Sequence, residues 1–128
     1  MPTIHVDVDR SGPLFDGRAD RAARDYVDAV QLEVGKQGLA EVHTILDASI
    51  RHPTPYYETQ LVVERAAPDV VVHDRGIVYG PWLEGVGSRN KTTRFKGYFA
   101  FRRARHRLEQ LVPAIAERVL QRFLRRMS

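Results

Sequence analysis

The sequence predicts an α+β fold: a small antiparallel sheet of three or four strands packed against a long N-terminal helix and a C-terminal helix. Three observations carry this. Thr3 to Asp9 alternates strictly between apolar and polar residues. Arg18 to about Ile50 repeats apolar residues at three- and four-residue spacing, and Tyr98 to Met127 does so again. Between the two helical stretches lie short runs rich in β-branched and aromatic residues.

In the first element Ile4, Val6 and Val8 share one face, with His5, Asp7 and Asp9 on the other, which is the period of a half-buried strand. Ser11-Gly12-Pro13 breaks it. Asp16 is a suitable N-cap for the long helix. Its stripe consists of Ala23, Val27, Val30, Val34, Val42 and Ile45, widened by Tyr26, Leu39 and Leu46. The pairs Asp20–Arg24, Arg21–Asp25 and Arg24–Asp28 lie one turn apart and suit a solvated face. Unbroken, the helix is about 32 residues and roughly 48 Å long. Gly35 and Gly38 weaken its middle and mark either a kink or a close contact. Pro53 and Pro55 end it.

Three β-rich pieces follow: Tyr57–Arg65, Asp69–His73 and Ile77–Leu83. Asp74-Arg75-Gly76 has the chemistry of a tight hairpin turn, so the last two runs are expected to pair antiparallel. The final helix carries Leu108, Leu111, Ile115, Val119 and Phe123, with Val112, Leu120 and Leu124 beside them. Pro113 within that stripe is expected to kink or split it. With no internal repeat and no linker, the 128 residues read as a single domain.

Composition narrows the function classes. The chain has no cysteine, which excludes disulfides and sulfur-ligated zinc. No apolar run approaches the roughly 20 residues that span a bilayer, and the N-terminus lacks a signal-peptide pattern. The expectation is a protein made in the cytoplasm, soluble and without a membrane partner. The net charge of +4 hides a polarity: residues 1–88 hold 14 acidic and 8 basic side chains, a balance of −6, and residues 89–128 hold 12 basic and 2 acidic, a balance of +10. Such a chain suits contact with nucleic acid, or head-to-tail stacking of copies.

Gly85-Val86-Gly87-Ser88-Arg89-Asn90-Lys91-Thr92 comes within one residue of a phosphate-binding P-loop. Asn90 stands where the last glycine belongs, and neither a preceding parallel strand nor an immediate helix is expected. A mobile basic loop over about residues 85–97 is the better reading. The five histidines form no metal-ligand spacing, although His43 and Asp47 lie one helical turn apart. No nucleophile elbow is present. The sequence therefore predicts no enzyme, no cofactor and no metal site. Arg102, Arg103, Arg105 and Arg107 follow Tyr98, Phe99 and Phe101, an arrangement also found in some single-strand binders. Phe99 and Phe101 are equally expected as core residues at the start of the last helix.

The run "VYGPWLEGVGSR", followed by "AFRRA", resembles the tail-completion or neck proteins of long-tailed bacteriophages, the gene-product-ten-like minor tail family. Tyr79, Gly80, Trp82, Leu83 and Glu84 match that family's aromatic-small-x-aromatic-aliphatic-Glu run. Gly87, Ser88 and Arg89 match its Gly-Thr-basic run, with serine for threonine. Phe101, Arg102 and Ala104 match the segment that opens its last helix. The order of long helix, strands, loop and C-terminal helix also agrees. One departure is Gly85-Val86, two residues where the family usually has one.

The resemblance implies a structural protein of the virion. It would form a homo-oligomeric ring, usually hexameric, at the head–tail junction, between connector or stopper and the tail terminator and tail tube. DNA would pass through its centre. In that setting Arg89, Lys91, Arg94 and Lys96 are expected to face a neighbouring subunit or the DNA. Tyr79, Trp82, Glu84 and Arg102 are expected to anchor the loop, with Trp82 in the core or at an interface and Glu84 paired with Arg102. The alternatives are a tail terminator, or a non-specific DNA-binding protein using the basic C-terminal third.

Overall fold

Asp69–His73 consists of three valines between two polar residues, a pattern that favours a strand covered on both faces. In the computed structural model, which describes residues 2–10, 20–49 and 55–127, this run is the central strand β3. It is flanked by β1 (Thr3–Val6) and β2 (Val62–Ala66), and both pairings are antiparallel. Ile4 and Val63 lie opposite Val72, and Val6 and Arg65 lie opposite Val70. One face of the sheet therefore presents Ile4, Val6, Val63, Val70 and Val72. Two helices cover it: α1 (Asp20–Ser49) and α4 (Ala100–Met127). The core between them holds Val34, Val42 and Leu46 from α1, and Ala104, Leu108, Ile115 and Val119 from α4. The α+β architecture follows from these two amphipathic helices closing over one sheet face.

The glycines of α1 mark close contacts. A Cβ at Gly35 would lie 2.7 Å from Val70 Cγ1 and 2.9 Å from Val63 Cγ1. At Gly38 it would lie 2.9 Å from Leu108 Cδ1. Gly35 thus lets the helix settle on the sheet, and Gly38 admits a side chain of α4. Further along, Tyr26 packs edge-on against Phe123 and donates its hydroxyl to the Ala116 carbonyl at 3.0 Å.

The long helix is tied to β1 by a polar cluster. Fully buried Gln31 donates to the Val6 carbonyl (2.9 Å) and accepts from Arg10 Nη2 (2.7 Å). The same Arg10 nitrogen meets Asp28 at 2.6 Å, and Arg65 approaches Asp28 from β2 at 3.7 Å. Asp28 therefore faces the edge of the sheet, where it meets Arg10 and Arg65.

Several expected boundaries move. The first strand stops at Val6, and Asp7 to Asp9 are exposed. The front of the expected Tyr57–Arg65 strand is a short helix, α2 (Pro55–Thr59), opened by the proline that was expected only to end its predecessor. The Asp16 cap, the helix start at Arg18 and the Pro53 stop lie outside the described residues.

The largest correction concerns Ile77–Leu83, which forms no strand. Asp74, with no exposed surface, accepts the Gly76 amide on Oδ1 and the Tyr57 hydroxyl on Oδ2. That anchors the turn inside the protein, and Pro81, lacking an N–H, then opens α3 (Gly80–Glu84). The hairpin that forms instead joins β2 to β3 through Ala67-Pro68, a cis peptide. The last helix begins at Ala100, two residues later than expected, and Pro113 does not split it. Pro113 and Glu109, whose carbonyl loses its intrahelical partner, are both exposed, so water can serve that carbonyl.

Candidate functional site

Two glycines close the segment that resembled a P-loop. Gly85 and Gly97 both hold positive φ, at 101° and 103°. A Cβ on Gly97 would strike the Gly85 backbone, and one on Gly85 would strike the Lys96 carbonyl and the Phe99 ring. The chain crosses itself here at a distance only glycine permits. Above the crossing, Tyr98 and Phe99 donate their amides to the Leu83 and Glu84 carbonyls at 2.7 and 3.2 Å. Residues 85–97 are thus a closed Ω-type loop, with a hydrogen-bonded stem.

Asn90 fills the middle of this loop and is 5% exposed. Its side-chain oxygen accepts the Gly87 amide at 2.9 Å. Its NH2 donates to the carbonyls of Trp82 (3.0 Å) and Phe95 (3.2 Å). Lys96 Nζ reaches the Asn90 carbonyl at 2.8 Å. Below them the rings of Trp82, Phe95 and Tyr98 pack in succession, the first pair tilted and the second edge-on, with centroids 4.4 and 4.9 Å apart. The expectation that the loop is too polar to hold a core is corrected: an amide with two donors and an acceptor, plus three aromatics, gives it an interior of its own.

The expected site residues divide accordingly. Arg89, Lys91 and Arg94 are exposed on the loop, close together in sequence and available to a partner. The amine of Lys96 is instead engaged within the loop. Tyr79 is partly exposed and packs on Tyr57 at 5.8 Å between centroids. Trp82 is half-buried over Phe95, and among the described residues its Nε1 has no acceptor.

Glu84 and Arg102 meet, though not as a side-chain pair. The Glu84 carboxylate accepts the amides of Phe101 (2.9 Å) and Arg102 (3.0 Å). The Phe99 carbonyl accepts the first helical bond of α4, from Arg103, so Phe101 and Arg102 are first-turn amides with no intrahelical acceptor. Glu84 therefore caps α4 from a distance, with its charge at the positive end of the helix dipole. Phe99, at φ 52°, carries the bend that brings these amides round. The Arg102 guanidinium lies over the Phe99 ring, 4.5 Å from its centroid. Burial pushes the Glu84 carboxyl above its ordinary range, while the two amides and the Arg102 charge pull it back.

Sequence reasoning missed Asn90 as a structural centre, because it measured the residue against the glycine of a P-loop. It also missed Asp74, Tyr57 and Gly80. A Cβ on Gly80 would strike the Asp74 carboxylate, so this glycine admits the buried turn beneath α3. Only the Asp-x-Gly pattern of residues 74–76 could have signalled it.

Elsewhere, His43 faces Glu58 across 3.5 Å, a partner supplied by α2 beyond the expected Asp47. His73 accepts the Arg75 amide on Nδ1, so its Nε2 proton goes to Glu64, at 2.6 Å. Among the described residues no group of three or more His, Asp or Glu is placed to hold a metal ion, and no helix is long and apolar enough to cross a membrane. Compared with models of protein families, with curated proteins and with solved structures, the chain matches none.

Proposed function

We propose that this protein is a neck or tail-completion component of a long-tailed phage particle, assembling as a ring that joins the connector to the tail tube around the DNA channel. The observation that carries the reading is the motif "YGPWLEGVGSR…FRRA". Its spatial arrangement supports it: the matched Glu84 binds the amides of the matched Phe101 and Arg102, so pieces separated in sequence act as one unit. Such a unit fixes a rigid loop whose exposed side carries Arg89, Lys91 and Arg94. A pre-organised cationic edge suits docking on an acidic neighbour, because little ordering entropy opposes association.

The exposed arginines at the start of α4 favour one second reading, non-specific contact with DNA phosphates. Arg102 and Arg103 are already engaged, with Phe99 and with Ser49 Oγ, which leaves Arg105 and Arg107 as the stronger candidates.

The test is genetic. Deleting the coding sequence from the phage or prophage that carries it should leave filled heads and separate tails, rejoined by the wild-type gene supplied in trans. Supplying the Arg89→Ser, Lys91→Ser, Arg94→Ser variant should fail to rejoin them, although the purified variant melts as the wild type does. Normal infectious particles from the deletion would overturn the reading.

A further inference from the structure

An exposed apolar groove lies at the base of the loop. Val78, Tyr79, Trp82 and Arg89 line a space of about 460 Å³ that continues along Pro81 and Ser88. Val78 is 95% exposed at the edge of this groove. Arg89 gives the groove a cationic side, and Lys91 and Arg94 are exposed elsewhere on the same loop. An occupant of matching chemistry presents a small branched apolar side chain beside carboxylates.

The chain carries such a segment at its other end. Asp7-Val8-Asp9 follows β1, and Val8, at 39%, is one of the exposed large hydrophobic residues. The sheet register sets the two features apart. β1 begins opposite His73, after which the chain leads to Val78 and Trp82. It ends with Val6 opposite Val70, beside the Ala67-Pro68 turn. The acidic plug therefore leaves one end of the sheet, and the cationic groove lies beyond the other.

We infer that the Asp7-Val8-Asp9 segment of one copy seats in the Val78–Trp82–Arg89 groove of the next. Val8 covers the apolar floor, and the Asp7 carboxylate meets Arg89. The two surfaces differ and lie at opposite ends, so the contact is heterologous: it repeats head to tail and closes into a ring if the rotation per copy permits. This deepens the ring reading above and rests on it for its biological setting.

The absence of native cysteine makes the test direct. Val8→Cys and Val78→Cys chains are purified separately, mixed under mild oxidation, and resolved by non-reducing electrophoresis. The mixed 8–78 disulfide should form at least tenfold faster than either homodimer, and should slow when Arg89→Glu is added to the Val78→Cys chain. The chain bearing both cysteines should give a ladder of linked copies. Homodimers as fast as the mixed product, or no effect of Arg89→Glu, would overturn the inference. Circular dichroism melts of each variant guard against misfolding, and both substituted valines are exposed. The outcomes separate from the virion reading. A productive 8–78 link with normal particles from the deletion strain would sink the neck assignment alone. Absence of the link, with particles still dependent on the gene, would sink only this contact.

Discussion

Glu84 reaches across the stem of the loop to the backbone amide of Arg102, 3.0 Å from its Oε2, and so couples a five-residue helix to the first turn of a 28-residue one. Removing the carboxylate strands two amides that have no other acceptor among the described residues. Glu84→Ala should lower stability by about 2–4 kcal/mol, since charge-assisted hydrogen bonds contribute about 1.5–3 kcal/mol each and burial of the carboxylate offsets part of that. Glu84→Gln keeps one acceptor and should lose about half as much. Urea denaturation followed by circular dichroism measures both. A Glu84→Ala variant as stable as the wild type would show that the cap is incidental.

Asn90→Gly restores the P-loop pattern and should nonetheless be harmful. It removes three side-chain hydrogen bonds inside the loop, a loss of about 2–3 kcal/mol at about 1 kcal/mol each. Titration calorimetry with ATP should show no binding before or after the change. Lys91→Ala, at an exposed position, should leave stability within about 0.5 kcal/mol of wild type. Nucleotide binding by the glycine variant would restore the P-loop reading that the sequence context had set aside.

Gly38→Ala gains about 1 kcal/mol of helix propensity but sets a methyl against Leu108. Overpacking costs about 1–3 kcal/mol, so the substitution should be net destabilising. Combined with Leu108→Ala, the clash disappears and the two effects should fall short of their sum by about 1 kcal/mol. Additive losses in the double-mutant cycle would mean that α1 and α4 adjust without strain.

Trp82 poses the opposite case, because among the described residues its buried N–H has no acceptor. Trp82→Phe removes that group together with some ring area and should stay within about 1 kcal/mol of wild type. Trp82→Ala, which takes the ring away from Phe95, should lose about 3 kcal/mol. A large loss on Trp82→Phe would point to a hydrogen bond made by the indole in solution.

Two carboxyls, Glu84 and Glu58, lie above their ordinary range. For Glu58 burial is the main cause, joined by Asp47 and opposed by His43. A carboxyl raised in the folded state keeps its proton at a pH where the unfolded chain has released it. Its contribution is therefore complete below the unfolded value of about 4.3 and is lost as pH rises through the folded value. Asp47→Asn should flatten this decline just above the ordinary carboxylate range, visible as a smaller drop in melting temperature across it. An unchanged pH profile would remove Asp47 from the account.

The helices were legible in the sequence because period and burial agree over many turns, as the stripe from Val27 to Leu46 illustrates. β3 was legible for a related reason: three successive valines favour a strand buried on both faces. Ile77–Leu83 misled because Tyr, Trp and Ile report burial near aromatics as readily as a strand. What decided its shape was the long-range bond between Tyr57 and Asp74, which no local pattern contains. The loop misled in the other direction. Asn90, Gly85 and Gly97 carry no hydrophobic signal, yet a buried amide and a glycine crossing order the segment. Tyr79, Trp82 and Glu84 were singled out through a resemblance; Glu84 lies at the stem, Trp82 packs on Phe95, and Tyr79 packs on Tyr57. The role of Glu84 as a cap became visible only once α4 folded back toward it.

The crossing of Gly85 on Gly97 makes the loop a cassette with its own boundary. What lies beyond the crossing is held chiefly by Asn90 and what lies before it by Glu84, and the Asn90–Trp82 bond and the Trp82–Phe95 contact join the two sides. Length and charge at the tip are thereby separated from the integrity of the helix–sheet body. The exposed residues 88, 89 and 91–94 can therefore be exchanged in an engineered chain that keeps Asn90 and Phe95, without remaking the domain.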